Sequence, residues 1–101
     1  MLKDKKGSMD SILQDKKECF VTGMTDGLHK HHIYFGANRQ VSEENGFYIY
    51  LRWDYHIADS YNKTPHNDRR TDLFYKQLCQ REYERTHSRM EFIALIGRSY
   101  L

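Results

Sequence analysis

The clearest periodicity in the chain is "GFYIYLRW", where Phe47, Ile49, Leu51 and Trp53 alternate with Tyr48, Tyr50 and Arg52. Alternation with period two predicts a strand with one face buried on a core. Upstream, "ECFVTGMTDGLHKHH" reads as a short extended segment, a turn at Asp26-Gly27 and a second extended segment from Leu28. The two strands then bracket "YFGANRQVSEENG", read as a loop. Asp54 is placed to cap a short helix containing His56, Ile57, Ala58 and Asp59. The segment "NKTPHNDRR" interrupts it, because Pro65 with flanking Asn, Thr and Asp favours a loop.

From about Thr71 the period lengthens to that of a helix, with Phe74, Tyr75, Leu78, Cys79 and Tyr83 on adjacent rows. Ser88 followed by Glu91 is a capping-box pair for a last helix carrying Phe92, Ile93, Leu95 and Ile96, and Gly97 is placed to end it. The predicted fold is α+β: a two-stranded hairpin, a short helix and two C-terminal helices. Residues 1–10 read as a mobile basic lead-in and residues 11–101 as one domain.

Composition supports a folded chain, with 39% hydrophobic, 30% charged and 14% aromatic residues in 101. That length suits a single core. No apolar run approaches the roughly 20 residues that span a bilayer, so a soluble, cytoplasmic protein is expected. Cys19 and Cys79 are then expected as thiols rather than a disulfide. The net charge of +2 is unremarkable, but its distribution is uneven. The stretch 61–89 carries seven Lys and Arg against four Asp and Glu, whereas 19–60 carries three against five. An acidic, histidine-bearing centre flanked by basic segments suits a cation approached by phosphate; ordinary surface scatter gives the same counts.

Three of the six histidines fall in "HKHH" at 29–32. A hairpin whose second strand runs straight into a helix brings the His31-His32 pair opposite His56, 25 positions after His31, and two imidazoles meeting there suit a divalent cation. His66 is a third ligand candidate. Neighbours on a strand point to opposite sides, so one histidine of the pair is left unliganded and free to be a base. His29 is read as exposed and incidental, and His87 as part of the turn before the last helix.

"LHKHHI", a glycine-bearing loop, a strand and "DYHI" resemble the core of the HNH endonucleases, whose ββα-metal fold surrounds one divalent ion. More closely, the run from "SILQDKKECFVTG" through "HKHHIYFGANRQVSEENG" to "EFIALIGRSYL" is similar to short HNH-like proteins of phages and prophages, over about residues 11–101. The resemblance implies that His31 is a metal ligand and His32 the general base that activates water. It matches His56, and less closely His66, to further ligands, and sets Lys30 and Arg39 near phosphate. The ion would be Mg2+, Mn2+, Ni2+ or Zn2+, the substrate DNA, and the setting phage recombination or packaging.

Chemically the assignment is coherent, because an ordinary imidazole, with a pKa of about 6.5, can take a proton from water near neutral pH. The zinc knuckle of many HNH proteins is not matched: Cys19 is present, but Thr22, Arg52 and Tyr55 stand at the other thiolate positions, so no structural zinc is expected. The base-orienting Asn of the family aligns near Phe47, leaving Asn38, Asn45 or Asn62 to take its place. Those departures favour a second reading, an HNH module that binds DNA or a protein partner without cutting. A small structural or metal-buffering protein is the third.

Overall fold

The alternating stretch forms a strand, β2 (Tyr48–Arg52), paired antiparallel with β1 (Leu28–His32) in a two-stranded sheet. Register sets Leu28 opposite Arg52, His31 opposite Ile49 and His32 opposite Tyr48. The computed structural model describes residues 9–101, so most of the expected basic lead-in lies outside the described residues. Three helices complete the order: α1 (Arg39–Asn45) between the strands, then α2 (Arg69–Tyr83) and α3 (Arg89–Ile96). The result is a small α+β fold. No helix among the described residues is long and apolar enough to cross a membrane.

Phe47, Ile49 and Leu51 are fully buried, as the alternation requires, and pack with Ile33, Tyr34, Tyr75, Cys79, Phe92 and Ile96. Trp53 departs from the pattern. The strand ends at Arg52, a 3-10 turn begins at Trp53, and the indole lies 45% exposed against Gly27. The phenol of Tyr34 donates to the Lys76 carbonyl at 2.5 Å and so ties the chain after β1 to the middle of α2. Cys19 and Cys79 are both free and buried.

The last helix follows its sequence signals. Ser88 Oγ accepts from the Glu91 amide at 3.1 Å, Glu91 Oε1 accepts from the Ser88 amide at 2.7 Å, and Gly97 closes the helix at φ +102°. α2 starts two residues earlier than expected because Asp68, not a later residue, caps it, accepting from the Thr71 amide at 2.9 Å. Its inward face is Tyr75, Cys79 and Gln80, while Phe74 is exposed. Buried Gln80 accepts from the Tyr100 amide at 2.7 Å and donates to Ser99 at 2.9 Å, fastening the C-terminal segment across α2.

Three local expectations are corrected. The segment between the strands is not all loop, since α1 forms with Ser42 as its one buried side chain. Ser42 Oγ donates to the Tyr34 carbonyl at 2.6 Å and accepts the Tyr34 amide at 3.2 Å, so a hydroxyl rather than an apolar stripe seats that helix. The short helix expected to carry His56 is a 3-10 turn, Trp53–Tyr55. Ser60 and Asn62 donate their side chains to the Asp54 carbonyl, the acceptor a continuing helix would have used. Finally, "ECFVTG" is not extended but folds back, with the Gly23 amide donating to Cys19 O and the Cys19 amide to Met24 O, both at 2.8 Å. Residues 11–20 instead cover the outer edge of β2 through Ser11 to Tyr48 O, Gln14 to the Tyr50 amide and the Phe20 amide to Tyr50 O.

Gly46 ends α1 at φ +75°, and a Cβ there would run into the Asp10 carbonyl. Gly23 has a similar φ of +77° but open space around it. Gly46→Ala is therefore expected to cost distinctly more than Gly23→Ala, which should lose only about 1–2 kcal/mol for the left-handed backbone. Urea denaturation of both variants measures the difference.

Candidate metal centre

Four imidazoles meet at the open end of the hairpin. β1 supplies His29 and His31, which share a face by strand alternation; the turn after β2 supplies His56; the loop before α2 supplies His66. His31 is 2% exposed. Ring centroids lie 5.2 Å apart for His31 and His56, 5.1 Å for His31 and His66, and 4.8 Å for His56 and His66. Among the described residues, His31, His56 and His66 are the group able to share an ion, with one nitrogen from each within 4.8 Å of the others.

Local chemistry fixes the two non-strand members. Thr64 is fully buried, and its hydroxyl accepts the amides of His66 at 3.1 Å and Asn67 at 3.2 Å. Asn67 Oδ1 accepts the Thr64 amide at 2.8 Å, while its Nδ2 donates to Asn62 O at 3.0 Å. Asn62 in turn holds the Asp54 carbonyl at 2.8 Å, just before His56. A segment rich in Asn, Ser and Thr, which reads as loop, thereby becomes a braced support for both imidazoles.

Nitrogen geometry fits a cation. His31 Nε2 is buried without a hydrogen-bond partner, a state that costs about 1–3 kcal/mol unless something occupies its lone pair or takes its proton. His56 Nε2 and His66 Nε2 approach to 3.1 Å, close to the ~3.3 Å between two nitrogens on a tetrahedral Zn2+. Burial first, then the neighbouring His56 and His66, with His32 and Lys76 adding, holds His31 down to about pKa 3. Burial, His66 and His29 hold His56 at about 4. Neutral imidazole is the form that binds metal, so at neutral pH no proton need be displaced from either ring.

His29 is exposed, as expected, but it is not without a contact in the cluster. Its Nδ1 lies 3.0 Å from His56 Nδ1, with ring centroids 5.1 Å apart. One ring donates and the other accepts. With His56 Nε2 turned to the cluster, an Nδ1–H donated to His29 fixes the tautomer that leaves Nε2 free to ligate. The signal was available: period two sets His29 and His31 on one side of β1.

His32 leaves β1 on the opposite face and is 9% exposed. Its Nε2 sits 2.6 Å from Glu43 Oε1 on α1. Lys30 reaches the other oxygen of that carboxylate at 3.2 Å, with its ammonium 4.2 Å above the Tyr48 ring. Burial works to raise the Glu43 pKa, but the bonds from His32 and Lys30 outweigh it and keep the carboxylate ionised. Thus Glu43, which sequence reading missed because its helix was read as loop, orients His32. Asn38, Asn45 and Asn62 do not; their amides bond Ile96, Val41 and Asp54 carbonyls. Lys30 is committed to Glu43, and Arg39 stands exposed at the start of α1.

At the matched knuckle position, burial acts to raise the Cys19 thiol, yet the Arg52 amide, the Thr22 hydroxyl and amide, and the Val21 amide bring it below its ordinary value.

Two outcomes follow from this geometry. Titration calorimetry with Zn2+ or Ni2+ should show binding lost in His31→Ala and weakened about 10–100-fold in His29→Ala, with His29→Gln, which keeps an acceptor, losing less. Because His31 and His56 have folded pKa values of about 3 and 4, below the ordinary 6.5, the unfolded chain takes up protons first. Stability of the metal-free protein should therefore decline as pH falls from about 6.5 towards 4, and the urea midpoint of His31→Leu should fall less over that range. Comparison with protein-family models, with curated proteins and with solved structures gives no match.

Proposed function

We propose that the protein is a divalent-metal-dependent DNA endonuclease or nickase of the HNH-like ββα kind, with His31, His56 and His66 as ligands and His32 as general base. One observation carries the reading: the last two residues of β1 send imidazoles to opposite faces, His31 into a three-histidine cluster and His32 into the grip of a carboxylate. In-line displacement at phosphorus needs opposite sides treated differently, with an attacking water deprotonated on one and the departing oxygen stabilised on the other.

Glu43 holds His32 by Nε2. Nδ1, which has no hydrogen-bond partner among the described residues, is then the nitrogen that takes the proton from water. The ionised carboxylate stabilises the imidazolium that results, as an acid partner does for a catalytic histidine. His29 holds His56 in its ligating tautomer, and the Thr64–Asn67 brace holds His66. When bound, the cation supplies Lewis-acid polarisation of a phosphoryl oxygen and neutralises charge on the leaving 3'-oxygen.

A second reading rests on the low exposure of His32 and the engagement of its Nε2 by Glu43, which also suit a purely structural pair in a module that binds DNA without cutting it. Conversion of supercoiled plasmid to open circles, with Mg2+, Mn2+, Ni2+ or Zn2+, separates the two. The expected result is metal-dependent nicking, reduced about 10²–10⁴-fold in His32→Ala and about 10–100-fold in Glu43→Gln. Equal inertness of wild type and His32→Ala would remove the nuclease reading and leave the binding module.

A further inference from the structure

We propose that the cleft between the first two turns of α2 and the C-terminal segment carries the phosphodiester backbone of a DNA strand towards the histidine cluster, held by Arg69, Arg70, Lys76 and Arg98. This rests on the nuclease reading for its direction but not for its charge. The cleft encloses about 630 Å³, and its wall holds those four cations with one carboxylate, Asp72. Asp72 is already engaged, its Oδ2 lying 2.9 Å from Lys76 Nζ.

Elsewhere among the described residues, Arg52, Arg85 and Arg89 each face a carboxylate within 4 Å, while Arg39 and Arg81 stand singly and line no such cleft. Arg69, Arg70 and Arg98 face none among the described residues; Arg98 lies 4.4 Å over the Tyr100 ring and donates only to the Ser99 carbonyl. Three guanidinium groups around one concavity, of which Arg70 alone has a further carboxylate, Asp68, within electrostatic range, focus a positive potential into it, which an anionic polymer relieves.

The spacing favours a strand over a lone anion. Arg69 and Lys76 are seven residues apart, nearly two full turns, so they stand on one side of α2 about 10.5 Å apart along the axis. Cations spread over nearly two turns can meet successive phosphates of a strand. The path also has an exit. Lys76 Nζ is 4.5 Å from the ring of Phe35, which is 40% exposed and lies 5.4 Å from His66 and 6.0 Å from His31 between centroids. Lys76 thus joins the cationic wall to the metal centre, and Phe35 offers an aromatic face for a base beside it.

Anisotropy of a labelled DNA oligonucleotide, with protein kept in chelator so that no metal is needed, tests the cleft. Wild type should bind with an affinity that falls steeply with salt. Arg70→Ala and Arg98→Ala should each weaken binding and reduce the log–log salt slope by about 1, and the Arg69→Ala/Arg70→Ala pair by about 2. Arg81→Ala, exposed on α2 outside the cleft, should behave as wild type. All these side chains are exposed, and far-UV circular dichroism checks that each variant is folded.

Unchanged affinity and slope in the folded cleft variants would overturn the proposal even if plasmid nicking is observed. Displacement of the oligonucleotide by polyglutamate of equal charge would overturn it in favour of an acidic polypeptide. Conversely, absence of nicking with arginine-dependent binding intact would remove the nuclease reading and leave the cleft standing.

Discussion

The register of one antiparallel pair governs the chemistry of this protein. With His31 opposite Ile49, its imidazole joins the face that Phe47, Ile49 and Leu51 bury, and His32 goes to the other. A slip by one residue would exchange the two rings and turn every side chain of β1 to the wrong side. The register is held beyond the strands by the Ile33 amide on Phe47 O and the Trp53 amide on Gly27 O, each at 2.9 Å, and by the burial of the β2 apolar face.

Around that pair, short polar networks do what a longer chain would do with additional core. Thr64, Asn67 and Asn62 brace the His66 loop; Ser42 seats α1; Gln80 fastens the C-terminal segment. Each is a buried or part-buried polar group whose donors and acceptors are met, which makes it specific rather than merely tolerated. His31 Nε2 stands outside this pattern, as does Asp72 Oδ1 on α2, and His31 Nε2 belongs to a ring set among the imidazoles of the cluster.

Electrostatically the two faces of β1 are prepared for opposite tasks. On one, burial and mutual proximity keep His31 and His56 neutral, the state in which their nitrogens have lone pairs to offer. On the other, Glu43 remains ionised beside His32 and Lys30. The basic cleft along α2 adjoins the first of these faces through Lys76 and Phe35.

What the sequence determined by itself was local and periodic. Period two defined β2 and sent His31 and His32 to opposite sides. Ser88, Glu91 and Gly97 marked α3, because a capping box and a left-handed terminus depend only on residues a few positions apart. Tertiary structure decided the remainder: that Glu43 reaches His32, that His29 reaches His56, that His66 joins the cluster, and that His56 follows a 3-10 turn and not a helix. Each of these is a contact between groups 10 to 35 residues apart, or a competition for one carbonyl won by side chains six and eight residues on, as at Asp54. Local propensity has no access to such contacts, because their energy exists only once the chain has folded back on itself.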